Sequence, residues 1–256
     1  MFNSHNFDVL GSTLASTLRR WRGTMGSSKT AQPEKAPELF DREGCPHCRL
    51  VREALTELNL DAMIYPVPQG GVRHRQRLQE LSGGDTVPFL YDPNTDEKIA
   101  GAQAIVTYLF RQYRAKQPPA ALRESFINLT GSRLATLVRG GKGMKASPSH
   151  APKKPLALYS FESSPYSRLV RERLCELELP YLLVNLSKQQ LADLGPAVKR
   201  LHFGAYKPLP GSKREAFLKE HGRVQAPFLL DPNRGEGAGL FESAEILKYL
   251  NVAYAV

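Results

Sequence analysis

The segment EGCPHCRLVREALTEL, residues 43–58, returns as ESSPYSRLVRERLCEL at residues 162–177. Between Arg49–Leu58 and Arg168–Leu177 eight of ten residues are identical. The chain is a duplication, and the duplicated unit decides the fold. The copies differ where chemistry would sit: Cys45 and Cys48 of the first are Ser164 and Ser167 in the second.

Further along, VPFLYDPN (87–94) recurs as APFLLDPN (226–233). The offset grows from 119 to 139, so the second copy carries about twenty additional residues, which its composition places in the span Ala192–Lys219. Ahead of each copy stands a related stretch, GSTLASTLRR from Gly11 and GSRLATLVRG from Gly131. Recurrence in mid-chain marks the N-terminal stretch as structural rather than as a cleaved leader, although its acid-poor composition leaves organellar targeting open. Residues 117–121 and the Gly-, Pro- and Lys-rich run 140–155 read as loose joints between the copies.

Within a copy the periodicity changes in a fixed order. ELF (38–40) and LALYS (156–160) are short apolar runs and predict strands. Leu50, Val51, Ala54, Leu55 and Leu58 then recur at helical spacing, as do Leu169, Val170, Leu174 and Leu177. A strand follows at Ala62–Pro66 or Tyr181–Asn185, then a charged helical segment, a Pro-led strand, an Asp-Pro-Asn turn, a return strand and a last helix. The order predicts an α/β protein of two domains. Each is a small four-stranded mixed sheet flanked by helices and preceded by a short helical segment. The first repeat spans 1–118, with its core at 37–114. The second spans 119–256, with its core at 155–254.

The 256 residues are 41% hydrophobic and 23% charged, with a net charge of +10. No apolar run approaches the roughly 18–20 residues of a membrane span. The charge favours anionic partners, including nucleic acid, a membrane surface or an acidic small molecule. The basic residues are scattered and not interleaved with aromatics, so they read as a solvated surface and no nucleic-acid partner is expected. Three cysteines argue against a disulfide framework and for a reducing, cytoplasmic compartment.

Cys45-Pro46-His47-Cys48 opens a helix directly after a strand. The free N–H groups and the positive end of the helix dipole favour a thiolate at Cys45. Pro46 suits the first turn, and His47 adds positive charge there when protonated. Cys48 lies on the same face one turn on, placed to resolve a mixed disulfide formed at Cys45. A zinc pair is the alternative, but a tetrahedral site needs four ligands. Only Cys175 and six histidines remain, and no second C-x-x-C exists, so no metal is expected. Cys175 falls opposite Thr56 of the first copy and reads as a core residue.

A strand, C-P-x-C, a helix and then a strand led by Val-Pro or Ala-Pro together resemble the glutaredoxin and glutathione S-transferase N-terminal branch of the thioredoxin fold. Closest in organisation are proteins with two such domains in tandem. The resemblance implies that Pro88 and Pro227 follow cis bonds. It also implies that the backbones of Val87 and Ala226 face outward to pair with glutathione or an extended peptide. The family's E-S pair at the start of the last helix holds the γ-glutamyl end of glutathione. Glu242-Ser243 match it in the second copy, whereas Gly101-Ala102 occupy the place in the first. Helix capping is the other role open to Ser243. Ser164 likewise fits two roles, an N-cap or a serine bonded to the glutathione sulfur.

The resemblance implies a glutathione-linked thiol–disulfide oxidoreductase. Cys45 would be its nucleophile, Cys48 its resolving thiol and glutathione its co-substrate. Its partners would be glutathionylated or disulfide-bearing proteins. The second domain would be a glutathione-binding unit without thiols. Two alternatives stand beside this. A glutathione S-transferase would use the second-domain site, although the all-helical domain usual in such enzymes has no counterpart here. A non-catalytic binding or redox-sensing module would need neither activity. The oligomeric state is not encoded legibly.

Overall fold

The computed structural model describes residues 4–195, 204–234 and 239–256. Residues 196–203, part of the second copy's insertion, lie outside this set. In the first repeat, β1 (Glu38–Asp41) pairs in parallel with β2 (Ala62–Pro66) and antiparallel with β3 (Phe89–Asp92), which pairs with β4 (Glu97–Ala100). In the second, β5 (Leu156–Ser160), β6 (Tyr181–Asn185), β7 (Phe228–Leu230) and β8 (Leu240–Phe241) repeat the pattern.

The two units do not stand apart. β2 and β6 pair antiparallel, with Ala62 opposite Leu183 and Ile64 opposite Tyr181. The result is one eight-stranded sheet in the order β4-β3-β1-β2-β6-β5-β7-β8. Each of these strands would otherwise present an open edge, and each closes the other.

Four helices cover one face: α2 (Pro46–Glu57), α4 (Ala102–Arg114), α6 (Pro165–Glu176) and α8 (Ser243–Tyr254). Their apolar stripes meet the sheet in one continuous core in which Leu50, Val51, Ala54, Leu55 and Leu58 are fully buried. The other face carries α3 (Arg75–Ser82), over Phe40, Val67 and Phe89, and α7 (Lys213–His221), over Phe228. Each Asp-Pro-Asn turn closes as expected, with Asn94 N–H donating to Asp92 Oδ1 at 2.9 Å and Asn233 N–H to Asp231 Oδ1 at 2.8 Å. The Val87–Pro88 and Ala226–Pro227 bonds are cis.

The helices that precede the repeats, α1 (Ser4–Leu18) and α5 (Phe126–Val138), are exchanged. α1 packs on α6 of the second repeat, and α5 packs on α2 of the first. Ser12 and Ser16 hydroxyls donate to the carbonyls of Pro165 and Ser163, both at 2.8 Å. In matching positions Ser132 and Thr136 donate to Pro46 O and Gly44 O, at 2.9 and 2.8 Å. The two helices run antiparallel against each other. Gly11 and Gly131 mark the contact, since a Cβ on either would lie 3.0 and 3.2 Å from the guanidinium of Arg139 and Arg19 respectively. Arg19 then forks onto Glu53, at 2.8 and 2.6 Å, and Arg139 onto Glu172, at 2.8 and 2.7 Å.

The repeated Arg-Leu-Val-Arg-Glu does not lie on a solvated surface. Arg49, Arg52, Arg168 and Arg171 are among the most buried side chains of the described chain. Arg52 binds Asp41 through two contacts of 2.8 and 2.7 Å and reaches Glu43 at 3.1 Å and Glu162 at 3.0 Å. Arg171 reaches the same two glutamates at 3.1 and 2.9 Å. One glutamate and one arginine come from each repeat. Burial pushes Glu162 up, but Arg171, Arg52, Arg168 and Arg49 bring it down to about 2. Glu43 is held above the usual carboxylate range by burial.

The run 140–155, expected as a loose joint, is tied down along its first half. Gly44 N–H donates to Gly143 O at 3.2 Å, Gln69 N–H to Met144 O at 2.7 Å and Ser147 N–H to Glu176 O at 2.7 Å. It bridges the repeats because both supply it with unpaired backbone groups.

Arg52→Met should destabilise the protein by about 3–5 kcal/mol in a denaturant melt at pH 7, because three buried carboxylates lose a counter-charge. Glu162 sits below its ordinary pKa of 4.5, so its contribution is complete above that pH and lost as pH falls towards 2. Glu162→Gln should therefore be less stable than wild type at pH 7 but lose less stability between pH 4.5 and 2.

Candidate active site

β1 ends in the loop that carries Cys45, and Phe40 of β1 faces Phe89 of β3. Residues just before β3, Val87 and Pro88, therefore leave the sheet at the same end as Cys45. Phe89 also faces Ala100 of β4, which brings Gly101-Ala102 to that end. In the second repeat Tyr159 faces Phe228 and Phe228 faces Phe241, which gathers Ser164, Ala226-Pro227 and Glu242-Ser243 in the same way. Neither the N–H nor the C=O of Val87 or Ala226 is hydrogen-bonded among the described residues.

Cys45 is the N-cap residue of α2, extended at φ −72° and ψ 127°, with Pro46 in the first turn. It is 9% exposed, whereas Cys48 is sealed at 0%. All three cysteines are free thiols. The Cys48 thiol, hydrogen-bonded to Cys45, brings the Cys45 pKa down to about 6. The backbone N–H groups of Cys48 and His47 assist, against burial and the Asp41 carboxylate. Burial pushes Cys48 up, and its bond to Cys45 adds to the rise. The pair is thus polarised: Cys45, buried but less deeply, holds the charge and the sealed Cys48 holds the proton. His47 Nδ1 lies 2.8 Å from Glu124 Oε1, on the segment leading into α5.

In the second repeat Ser164 is the N-cap of α6 and accepts from Ser167 N–H at 3.2 Å. The capping role open to it in the sequence is the one it occupies here. Glu242 accepts from Gln225 Nε2 at 2.5 Å, next to Ala226. Ser243 is buried, with its Oγ 3.2 Å from His5 Nε2 at the start of α1. Each exchanged helix thus lies over the site end of the other repeat. Glu124, whose N–H donates to Gln103 Oε1 at 2.7 Å, plays in the first the part that His5 plays in the second.

Sequence reasoning passed over Asp41. It is buried, acts electrostatically on both thiols and is held by Arg52, while its counterpart Ser160 accepts from Arg171 Nη1 at 3.1 Å. The signal was present in the repeat comparison: the carboxylate accompanies the thiols and is replaced where they are replaced. Cys175 is a core residue, accepting from Glu43 N–H at 3.4 Å and donating to Gly143 O at 3.3 Å. Its thiol is pushed up by burial.

The sequence profile described as glutathione S-transferase, N-terminal domain, matches residues 39–118 and again 158–255. The chain belongs to that family. Both matched segments begin within the strand that leads to the C-P-H-C or S-P-Y-S turn, so this is a tandem glutathione S-transferase N-terminal protein. A solved structure titled "Leishmania TDR1 - a unique trimeric glutathione transferase" aligns with 85% of this chain and 68% of its own, at 13% identity and a TM-score of 0.29. No curated protein matches the chain in sequence.

The polarised pair sets a measurable expectation. Alkylation of Cys45 by iodoacetamide should be half-maximal near pH 6, well below an ordinary thiol. Cys48 and Cys175 should stay unmodified in the folded protein across the same range, as read by peptide mass mapping.

Proposed function

We propose that this tandem protein is a glutathione-linked thiol–disulfide oxidoreductase working through its first repeat. The observation that carries the reading is the polarised Cys45–Cys48 pair at the start of α2. The Cys45 thiolate attacks one sulfur of a disulfide, R–S–S–R′, and forms a mixed disulfide with R. The R′ thiolate leaves and takes a proton from solvent. Cys48 then loses its proton, attacks Cys45 Sγ and releases the R thiol, which leaves a Cys45–Cys48 disulfide. Two glutathione thiols return the pair to the reduced state and become glutathione disulfide. The unpaired backbone of Val87 before Pro88 supplies a strand-like edge for the substrate, and Val87, not a side-chain anchor, does so because Gly101 and Ala102 offer none.

In the second repeat, Ser164, Ala226, Pro227, Glu242 and Ser243 are the residues this reading assigns to a glutathione held without a thiol partner on the protein. His5 stands over Ser243, so glutathione reaches that end only when the first turn of α1 yields. Burial of Ser164 and its bond to Ser167 leave it to act through the helix N-terminus it caps.

Cys48→Ser should accumulate a glutathione mixed disulfide on Cys45 when treated with glutathione disulfide, seen by intact mass. Cys45→Ser should form none and lose reductase activity. Activity retained by Cys45→Ser removes the oxidoreductase reading. For the second repeat, His5→Ala should tighten glutathione binding several-fold by calorimetry. An affinity unchanged by that substitution removes Ser243 from the site.

A further inference from the structure

The outer surface of the exchanged helices has no role in the chemistry above, and its composition is not that of a solvated face. On α1, Leu10 is 65% exposed and Leu14 49%. On α5, Phe126 is 82% exposed, Ile127 78%, Leu134 44% and Leu137 72%. The inner faces of both helices are committed to α6 and α2, and the helices lie side by side, so these side chains share one outward surface. Single exposed leucines are ordinary on proteins, but an adjoining set on two helices marks a surface made to be covered.

The charges around it are one-sided. Residues 4–22 and 123–142 contain seven Arg and Lys against two acids, Asp8 and Glu124. Both acids are engaged, Asp8 with Lys142 and Glu124 with His47. Arg19 and Arg139 are turned inward onto Glu53 and Glu172. What remains outward is cationic: Arg20 and Arg133 are exposed and have no ion-pair partner among the described residues. Trp21, 43% exposed, stands beside Arg20 at the end of α1.

We infer that the outer face of α1 and α5 docks onto an anionic phospholipid bilayer surface, with its apolar side chains entering the headgroup boundary and Arg20 and Arg133 meeting lipid phosphates. Three observations select this occupant. A second copy would bring Arg20 and Arg133 against their own kind with no free acid to meet them. The footprint of two helices, one of them 15 residues long, is about 22 Å by 20 Å. That is about half of the roughly 800 Å² per partner that a stable dimer buries. A groove that receives a peptide helix half-buries its lining, whereas Phe126, Ile127 and Leu137 are almost wholly exposed. No helix among the described residues is long and apolar enough to cross a membrane, so contact would be at the surface.

The full chain should co-sediment with vesicles containing phosphatidylglycerol in phosphatidylcholine, and at least tenfold less with phosphatidylcholine alone. Leu10→Ser combined with Ile127→Ser and Leu137→Ser should reduce binding to the anionic vesicles at least tenfold, and so should Arg20→Glu with Arg133→Glu. These positions are exposed, and an unchanged alkylation profile at Cys45 checks that the variants are folded. Absence of binding to anionic vesicles overturns the inference. So does binding that survives the serine variant, since attraction by net charge alone then accounts for it. A dimer in light scattering that the serine variant dissolves also overturns it, in favour of a second copy.

Discussion

Two arginines and two glutamates, one of each from either repeat, share a site from which water is excluded. Arg52 and Arg171 each contact both Glu43 and Glu162. Moving such groups out of water is unfavourable unless every one of them is met by an opposite charge at hydrogen-bond distance. No repeat can meet that condition alone, because each arginine draws part of its compensation from the other repeat's glutamate. The seam between β2 and β6 and the register of the eight-stranded sheet both have to serve this geometry. The glutamates also sit two residues before Cys45 and Ser164, so the same network fixes both helix starts.

That link separates what the two repeats share from what they do not. The scaffold requirement applies equally to both and explains why Arg-Leu-Val-Arg-Glu is retained in each. The thiols answer to a local requirement, a backbone terminus and a partner sulfur that together lower the Cys45 pKa against burial and the Asp41 carboxylate. Only the first repeat has Asp41. In the second, Ser160 accepts from Arg171 and Ser164 from the Ser167 N–H, while the buried Ser167 hydroxyl has no hydrogen-bond partner among the described residues.

The apolar stripes, the strand order and the Asp-Pro-Asn turns were legible because each is a local pattern with a short physical range. The buried arginines were not. A charge one position away from a leucine stripe reads as exposed unless its partner is known, and Glu162 lies 110 residues from Arg52. The join between β2 and β6 was illegible for a related reason, since four strands already satisfy the pattern of each repeat. The exchange of α1 and α5 left a trace in the echo of Gly11 by Gly131, but periodicity alone cannot say which repeat a helix packs on. Asp41 could have been found by extending the comparison of repeats to Ser160. The burial of Ser243 under His5 could not, because that contact spans nearly the whole chain.

The exchange of α1 and α5 also has a topological consequence. Each repeat wears the helix that belongs, by chain order, to its neighbour. Severing the backbone between Ala115 and Pro119 would therefore free nothing: α1 would still clasp the C-terminal piece through Ser12 and Ser16, and α5 would still clasp the N-terminal piece through Ser132 and Thr136. Held in this way, the two halves behave as an interlocked pair for which the covalent joint is a convenience of synthesis rather than the bond that keeps them together.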